Sequence, residues 1–388
     1  MKTLSVLSRL ALLTACFLGS ATAQEIPKGF PPGLKLPRIK LLSMGGTIAS
    51  RGDTRLNITN YGGPGAPRVD PEHWVADLPD LALIANVTTE DFRPPQPPPT
   101  PPGTAPNPAA SGAGGTSFEQ LYKVARRLQE LANDDTVDGI VVTHGTNTMA
   151  ETAWFMNLVV AIKKPVVFVG SQRPWTGMAG DGPLNLFNAV RVAATPAAAE
   201  KGVLHCMNQN INAARDVTKL SAYRMDTFKS IDLGVVGVAD PDCVKFYTEP
   251  LRRHTFRSEF NISSLPANPK SLPAVECVYA YTEAPGYLID SLIEHGVKGI
   301  VVDGTGAGSP TGGTDGQTEA IKRAQAKGIV VAVTARTRGG RVQDTPRRRE
   351  SKVIPADNLT PEKARMLLQV ALTKTTDLAE IQRIFAEY

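Results

Sequence analysis

The stretch that decides the fold is IKLLSMGGT (Ile39–Thr47), an apolar run that ends in two glycines and a threonine. The same arrangement returns at Gly139–Thr146, and shorter versions stand at Val166–Ser171 and Gly299–Gly304. Short apolar runs that end in small residues are typical of buried strands. The pattern therefore predicts a set of strands that each end in a small-residue loop.

Amphipathic segments lie between and after these strands. Phe118–Leu131 and Ala150–Ile162 have apolar residues at helical spacing, and Pro361–Lys374 and Leu378–Tyr388 repeat that spacing at the end of the chain. Strands that alternate with helices indicate an α/β fold, with a mostly parallel sheet covered on both faces. Ligands bind at the carboxyl ends of the strands in such sheets, where the glycines and threonines stand.

Changes in composition divide the chain into segments. A Pro-rich and then Gly/Ala-rich stretch cannot bury a core and predicts an exposed insert, and a second Pro-rich stretch predicts a linker between two domains. The predicted segments are a signal peptide at 1–23, a tether at 24–37, a larger N-terminal sheet domain at 38–246 with the insert at 94–115, a linker at 247–273, and a smaller C-terminal α/β domain at 274–388.

The first 23 residues have the form of a secretory signal. Lys2 and Arg9 precede an apolar run, and Ala21-Thr22-Ala23 supplies a cleavage site, which predicts a periplasmic protein. An alternative interpretation is a lipoprotein in which Cys16 is modified. Three cysteines then remain in the mature chain, Cys206, Cys243 and Cys277; they are expected to be small buried residues, although one pair could form a disulfide.

The composition excludes several classes of protein. Of the 388 residues, 42% are hydrophobic and 20% are charged, which is typical of a folded globular chain. No uninterrupted apolar stretch of membrane-spanning length follows the N-terminus, so no membrane association beyond export is expected. The net charge is +5, and +3 once Lys2 and Arg9 of the signal-like segment are left out, which is too small to indicate a nucleic-acid partner.

Two threonines lie in the loops after predicted strands, where a catalytic or binding site is expected. Thr47 follows Gly45-Gly46, where residues without a β-carbon let the backbone turn sharply, and Thr146 follows Gly145 on another strand. Lys164 opens the next strand, and a lysine partly removed from water can serve as a base to a threonine hydroxyl. Without further information, Gly45-Gly46-Thr47 could equally be an ordinary turn, and Lys164 could be a solvated lysine at the end of a strand.

In its ordered motifs, the chain resembles the bacterial L-asparaginase family, the type with two threonine motifs. The matching stretches are Met44–Ala49, Thr143–Thr146, Lys164–Pro174, Asp181–Leu186, Ala213–Lys219 and Ala364–Leu368. The resemblance implies that Thr47 attacks a side-chain amide, that Tyr61 activates it, and that Thr146 and Lys164 form a second hydroxyl–amine pair. It implies a small-molecule amide substrate, no metal or organic cofactor, and a homo-oligomer, commonly a tetramer.

Further expectations concern neighbouring residues. Backbone amides near Gly46 and Thr146 would hold the oxyanion, and Gly46, Gly145 and Asn147 would contact the substrate. The resemblance also implies that His144 has a structural role and is not a general base.

Several positions depart from the family pattern. The aspartate that usually follows the second threonine is Asn147, which cannot neutralise a substrate ammonium. The family glutamate for that ammonium should fall near 344–350, where Asp344 and Glu350 are the only acids, and a family asparagine is replaced by Ala307 or Ser309. The family serine that grips the substrate carboxylate is displaced by the insert, which leaves Ser111 as a poor substitute.

Three functions follow from these observations. The first is hydrolysis of the side-chain amide of L-asparagine, and of L-glutamine as a further candidate, through a threonine acyl-enzyme. The second is the same chemistry on an amide without a free α-amine, since the groups that recognise an ammonium are changed. The third is a non-catalytic binder of small ligands, against which the retained hydroxyl and amine groups argue.

Overall fold

The predicted strands form in the computed structural model of the protein, which describes residues 35–59, 61–62, 66–95 and 116–388. The larger sheet has eight strands in the order β10-β9-β6-β5-β4-β3-β1-β2. Its strands are β1 Arg38–Ser43, β2 Asn86–Asp91, β3 Gly139–Thr143, β4 Val166–Val169, β5 Val203–Met207, β6 Asn210–Ala213, β9 Gly237–Ala239 and β10 Val244–Phe246. The five strands β2, β1, β3, β4 and β5 pair in parallel, and the remaining pairs are antiparallel.

The smaller sheet lies in the C-terminal part of the chain and is entirely parallel. Its strands, in spatial order, are β11 Val275–Tyr279, β12 Gly299–Gly304, β13 Val330–Ala335 and β14 Val353–Pro355. The central strands β3, β4 and β12 are buried along their whole length, as expected when helices cover both faces of a parallel sheet. The predicted α/β fold with a larger and a smaller sheet is therefore confirmed.

The helices of the described residues are α1 Pro71–Asp77, α2 Phe118–Ala132, α3 Met149–Val159, α4 Gly182–Ala194, α5 Tyr287–Glu294, α6 Gln317–Ala326, α7 Pro346–Glu350, α8 Pro361–Ala371 and α9 Leu378–Glu387. Four of them, α2, α3, α8 and α9, occur close to where the periodicity predicts them. At the start of α2 the Ser117 hydroxyl accepts a hydrogen bond from the backbone N–H of Gln120 and so caps the first turn. The helix α3 ends three residues before the predicted Ile162, because the chain must become extended before Pro165.

A short hairpin after β6 matters for the site. It consists of β7 Val217–Lys219 and β8 Phe228–Ser230, which pair as a separate two-stranded sheet. Lys219 is the last residue of β7. The hairpin therefore presents Lys219 from outside the main sheet.

Several predicted segments fall wholly or partly outside the described residues. These are the signal peptide, most of the tether, residues 96–115 of the insert, and Ser111 within it. Residues 247–273, the predicted linker, contain the 3-10 turns Thr255–Arg257, Ile262–Ser264 and Pro269–Ser271. Contacts group Leu36–Tyr388 as one compact unit, and the division at the linker stays a prediction.

The cysteines differ from the sequence-based expectation. Cys206 is buried in β5, but Cys243 and Cys277 are exposed, so the expectation that all three are buried is wrong. All three are free thiols in the described chain. Cysteine does not indicate burial at these positions, because Cys243 lies in the connection between β9 and β10 and Cys277 lies on the edge strand of the smaller sheet.

Candidate active site

Two glycine-containing turns meet at the carboxyl edge of the larger sheet. The turns follow β1 and β3, which are neighbouring parallel strands with Ser43 opposite Thr143. Gly46 has a φ of 89°, and a β-carbon at this position would lie only 2.2 Å from the Gly145 Cα. Glycine is required at Gly46 for both reasons, and the close approach brings the two threonine turns together.

Thr47 lies at the start of the 3-10 turn Thr47–Ala49, directly after this contact. Its hydroxyl oxygen is 3.2 Å from the Tyr61 hydroxyl, and both side chains are half-buried. The hydrogen bond is the one that the family resemblance implies. A nucleophile needs a hydroxyl that is accessible yet oriented, and Thr47 has both properties.

Thr146 forms the second pair, and its partner is Lys219. The Lys219 amine donates to the Thr146 hydroxyl oxygen over 2.9 Å. Thr146 is buried and Lys219 is half-buried, and burial lowers the pKa of Lys219 below its ordinary value. An amine that loses its proton more readily is a better base for a threonine hydroxyl.

The prediction that Lys164 pairs with Thr146 is wrong. The Lys164 amine donates instead to the backbone carbonyls of Leu131, at 2.8 Å, and Asp134, at 2.7 Å. Lys164 precedes β4 and so lies at the amino edge of the sheet, whereas Thr146 follows the carboxyl end of β3. The five residues of β3, at about 3.3 Å each, separate the amino edge of the sheet from its carboxyl edge by roughly 17 Å.

Sequence analysis alone missed Lys219, although a signal was present. Ala213–Lys219 is one of the stretches that resemble the asparaginase family, and Lys219 is its last residue. The lysine is 73 positions from Thr146 and lies on a different sheet, so spacing along the chain gives no indication of the contact.

We expect Lys164→Met to leave amide hydrolysis within about twofold of the parent, because the Lys164 amine lies on Leu131 and Asp134 and not on the threonines. Ammonia release at saturating substrate checks this result. The variant should also melt at a lower temperature, since two carbonyls lose their donor. A loss of activity greater than tenfold in the folded variant would return Lys164 to the site.

Asn147 lines an open cleft beside the second pair. The cleft has a volume of about 320 Å³ and is lined by Thr146, Asn147, Ala150, Glu151, Thr218, Lys219, Leu220, Arg338 and Glu362. The Arg338 guanidinium lies 3.5 Å from the Glu362 carboxylate, which neutralises one acid of the cleft. Burial first, and then the charge of Glu362, raise the pKa of Glu151.

The acids suggested for substrate recognition have other neighbours. Asp344 accepts a hydrogen bond from Arg349 over 2.7 Å, and Glu350 is exposed in the last position of α7. Neither lines the cleft within the described part of this chain. The acids that do line it are Glu151 and Glu362, which the sequence analysis did not select.

His144 has a structural place, as expected. It is buried, its Nε2 lies 2.9 Å from the Thr116 hydroxyl, and its Nδ1 lies 2.7 Å from the Gly145 carbonyl. Burial lowers the pKa of His144 to about 4, so the ring is neutral near pH 7. These contacts hold the loop that carries Gly145 and Thr146 in place.

The described residues contain no group of three or more His, Cys, Asp or Glu side chains arranged to hold a metal ion. Among the same residues, no helix is both long enough and apolar enough to span a bilayer.

Two hydroxyl groups at one sheet edge, one beside a phenol and the other beside an amine, form the kind of site that a threonine-nucleophile enzyme needs. The comparisons with known proteins identify the family. The family model described as "Asparaginase, N-terminal" matches residues 38–252, and that of the "Glutaminase/Asparaginase C-terminal domain" matches residues 274–385. The chain belongs to the asparaginase family.

Individual relatives match over most of their length. L-asparaginase 2 of Bacillus subtilis is 40% identical over 91% of this chain and 87% of its own. A glutaminase-asparaginase of Pseudomonas fluorescens is 37% identical over 91% of both chains. The crystal structure of a probable cytoplasmic L-asparaginase from Campylobacter jejuni has a TM-score of 0.80 at 35% identity, covering 91% of this chain and 100% of that one.

Proposed function

We propose that this protein is an amidohydrolase that converts the side-chain amide of L-asparagine to the acid and ammonia. The observation that carries the proposal is the meeting of the two threonine turns at Gly46 and Gly145, which gathers both hydroxyl groups at one edge of the sheet. Membership of the asparaginase family supports it. L-Glutamine is the further substrate to test, since one relative is named a glutaminase-asparaginase.

The proposed reaction has two acyl-transfer steps. The Thr47 hydroxyl, oriented by Tyr61, attacks the carbonyl carbon of the amide, and the C–N bond breaks as the nitrogen takes up a proton and leaves as ammonia. Water then attacks the threonine ester, which releases the carboxylic acid and restores the hydroxyl. Backbone amides near Gly46 and Thr146 are the proposed donors to the oxyanion.

In this proposal the second pair moves a proton. Lys219 in its neutral form accepts the proton of the Thr146 hydroxyl across the 2.9 Å that separates them, as Thr146 takes a proton from the water that attacks the ester. The pair returns that proton to the Thr47 oxygen when the ester bond breaks. The lowered pKa of the amine favours this role, because more of the base form is present near neutral pH. Gly46, Gly145 and Asn147 are the proposed substrate contacts.

A second candidate is the same chemistry on an amide that lacks a free α-amine. Asn147 adjoins the threonine–lysine pair, and an amide side chain cannot neutralise an ammonium. Of the two acids in the cleft, Glu362 already has Arg338 as a partner, and burial raises the pKa of Glu151, which favours its neutral form. An ammonium removed from water without an opposing carboxylate is bound several kcal/mol less well.

Ammonia release from a panel of amides tests both candidates. The panel is L-asparagine, L-glutamine and succinamate, which has the carbon skeleton of asparagine without the amine. Efficient use of L-asparagine supports the first candidate, and use of succinamate alone supports the second. If the folded protein binds these amides by calorimetry yet releases no ammonia, it is a binder and both candidates fail.

The Asn147→Asp variant tests what the missing carboxylate does. We expect a KM for L-asparagine that is about 5- to 100-fold lower, since a desolvated ion pair contributes between one and several kcal/mol. The new carboxylate also favours the protonated form of Lys219, so the acid limb of the pH–rate profile should move to higher pH. Steady-state kinetics from pH 5 to 10 measure both effects.

Asn147→Ser is the matched control for that variant, because it changes the side chain without adding a charge. We expect Asn147→Ser to show neither the lower KM for L-asparagine nor the shift in the acid limb of the pH–rate profile. Unchanged asparagine kinetics in Asn147→Asp, in a parent that already uses asparagine well, would mean that another carboxylate binds the ammonium.

Export and assembly are parts of the same proposal. The signal-like segment at 1–23 supports a periplasmic location, although one solved relative is described as cytoplasmic. Mass spectrometry of the mature N-terminus would distinguish cleavage after Ala23 from lipid modification of Cys16. A homotetramer is the proposed assembly, and light scattering that gives a monomer would contradict it.

A further inference from the structure

Lys363 in α8 is an unusual lysine, because it is only 1% exposed and points away from solvent. Its amine donates three hydrogen bonds to backbone carbonyls, to Ala214 at 2.8 Å, Arg215 at 2.7 Å and Val217 at 2.6 Å. An ammonium has three N–H donors, so all of them are used. Within the described chain, no carboxylate lies within ion-pairing distance of this amine.

The three carbonyls lie just before the residue that contacts Thr146. Val217 is the first residue of β7, and Lys219 is the last. The three hydrogen bonds of the Lys363 ammonium therefore stabilise the segment that connects β6 to β7. A short two-stranded sheet has little packing of its own, so its position depends on contacts of this kind.

The backbone of Lys363 contacts the helix that follows the other member of the pair. The Trp154 indole N–H donates to the Lys363 carbonyl over 3.0 Å, and both residues are buried. Trp154 lies in α3, which begins at Met149, two residues after Asn147. Lys363 thus connects the element that carries Lys219 to the element that follows Thr146.

We infer that Lys363 is a positioning residue that sets the Lys219 amine against the Thr146 hydroxyl. The inference rests on the proposed function, in which that hydrogen bond carries the proton. Lys363 does not line the cleft, so it acts through its contacts to β7 and α3. Because Lys363 lies outside the two threonine motifs and far from them along the chain, neither those motifs nor residue spacing predicts its role.

The protonation state of Lys363 supports this role. Burial lowers its pKa to about 8, and the nearby charges that modify it are Asp216, Glu362, Arg215 and Glu151. A neutral amine has two N–H donors, so it cannot satisfy all three carbonyls. Loss of its proton would release one of the contacts that hold β7.

The test compares Lys363→Met with the matched control Lys164→Met, in which another lysine loses contacts to backbone carbonyls far from the pair. We expect Lys363→Met to lower kcat by roughly 10- to 100-fold, since a displacement of about 1 Å can have that effect. KM should change less than about threefold, because substrate contacts stay in place. Activities are compared per folded molecule, at a temperature where circular dichroism shows each variant to be native.

A second readout does not depend on activity. Acetylation of Lys219 by acetic anhydride, followed by peptide mass spectrometry across a pH series, gives the titration of its amine. We expect that titration to shift in Lys363→Met and to stay at the parent value in Lys164→Met. A kcat within twofold of the parent together with an unchanged Lys219 titration would overturn the inference.

Lys363→Gln serves if the methionine variant does not fold, because its amide keeps two N–H donors. The same two readouts apply to it, with a smaller expected change in the same direction, and the same unchanged pair of results would overturn the inference. Failure of the proposed function is distinguishable. It appears as a parent that releases no ammonia from any amide, while the Lys219 titration still reports on Lys363.

Discussion

We expect Thr47→Ala to lower amide turnover by at least about 10³-fold, because the change deletes the hydroxyl that forms the acyl bond in the proposed mechanism. The glycine turn that precedes Thr47 is unaffected, so the variant should fold like the parent. Ammonia release at saturating substrate measures the loss, and circular dichroism confirms the fold.

Thr47→Ser is the control for that experiment. Serine keeps a hydroxyl on the same β-carbon, where the Thr47 oxygen lies 3.2 Å from the Tyr61 hydroxyl, and should retain a measurable fraction of the activity. The acyl-enzyme itself should be detectable by mass spectrometry in the parent after rapid acid quench, as an added acyl mass on the peptide that contains Thr47. Near-normal ammonia release from Thr47→Ala would remove Thr47 from the nucleophile's role.

Lys219→Met has the second largest expected effect, a loss of at least about 10²-fold in kcat, because it removes the base next to Thr146. Methionine keeps the apolar stem, so packing in the half-buried position is largely preserved. Lys164→Met is the matched control at the other edge of the sheet. Unchanged kinetics in Lys219→Met would mean that Thr146 needs no base.

The pH dependence of the parent gives an independent check on Lys219. Its base form is the neutral amine, so kcat/KM should rise as the pH increases through its pKa. Burial lowers that pKa, so the rise should occur at a lower pH than for an exposed lysine. In Lys219→Met the same limb should disappear from the profile.

The departures from the family pattern concentrate on residues that we propose to contact substrate, and they leave the proposed reacting groups in place. Thr47 with Tyr61 and Thr146 with Lys219 form two complete hydrogen-bonded pairs. The neighbouring cleft instead combines Asn147 with Glu151 and the Arg338–Glu362 pair. We therefore expect the choice of amide, more than the chemistry, to distinguish this enzyme from its relatives.

The sequence by itself determined the local structure and the family. Strands such as Val166–Val169 and Gly299–Gly304 form where the apolar runs predict them, and helices such as Phe118–Ala132 form where the spacing predicts them. These features depend on interactions between residues that are near in the chain, which the periodicity of the side chains records. The two glycine–threonine turns can be predicted from the sequence for the same reason.

Only the tertiary structure decided which lysine meets Thr146. Lys164 follows the second threonine closely in the chain, but a strand's length places it at the opposite edge of the sheet. Lys219 is distant in the chain and reaches Thr146 because a separate hairpin, held by the buried Lys363, folds back over the carboxyl edge. Contacts between distant segments depend on the packing of whole elements, and no local pattern in the sequence encodes them.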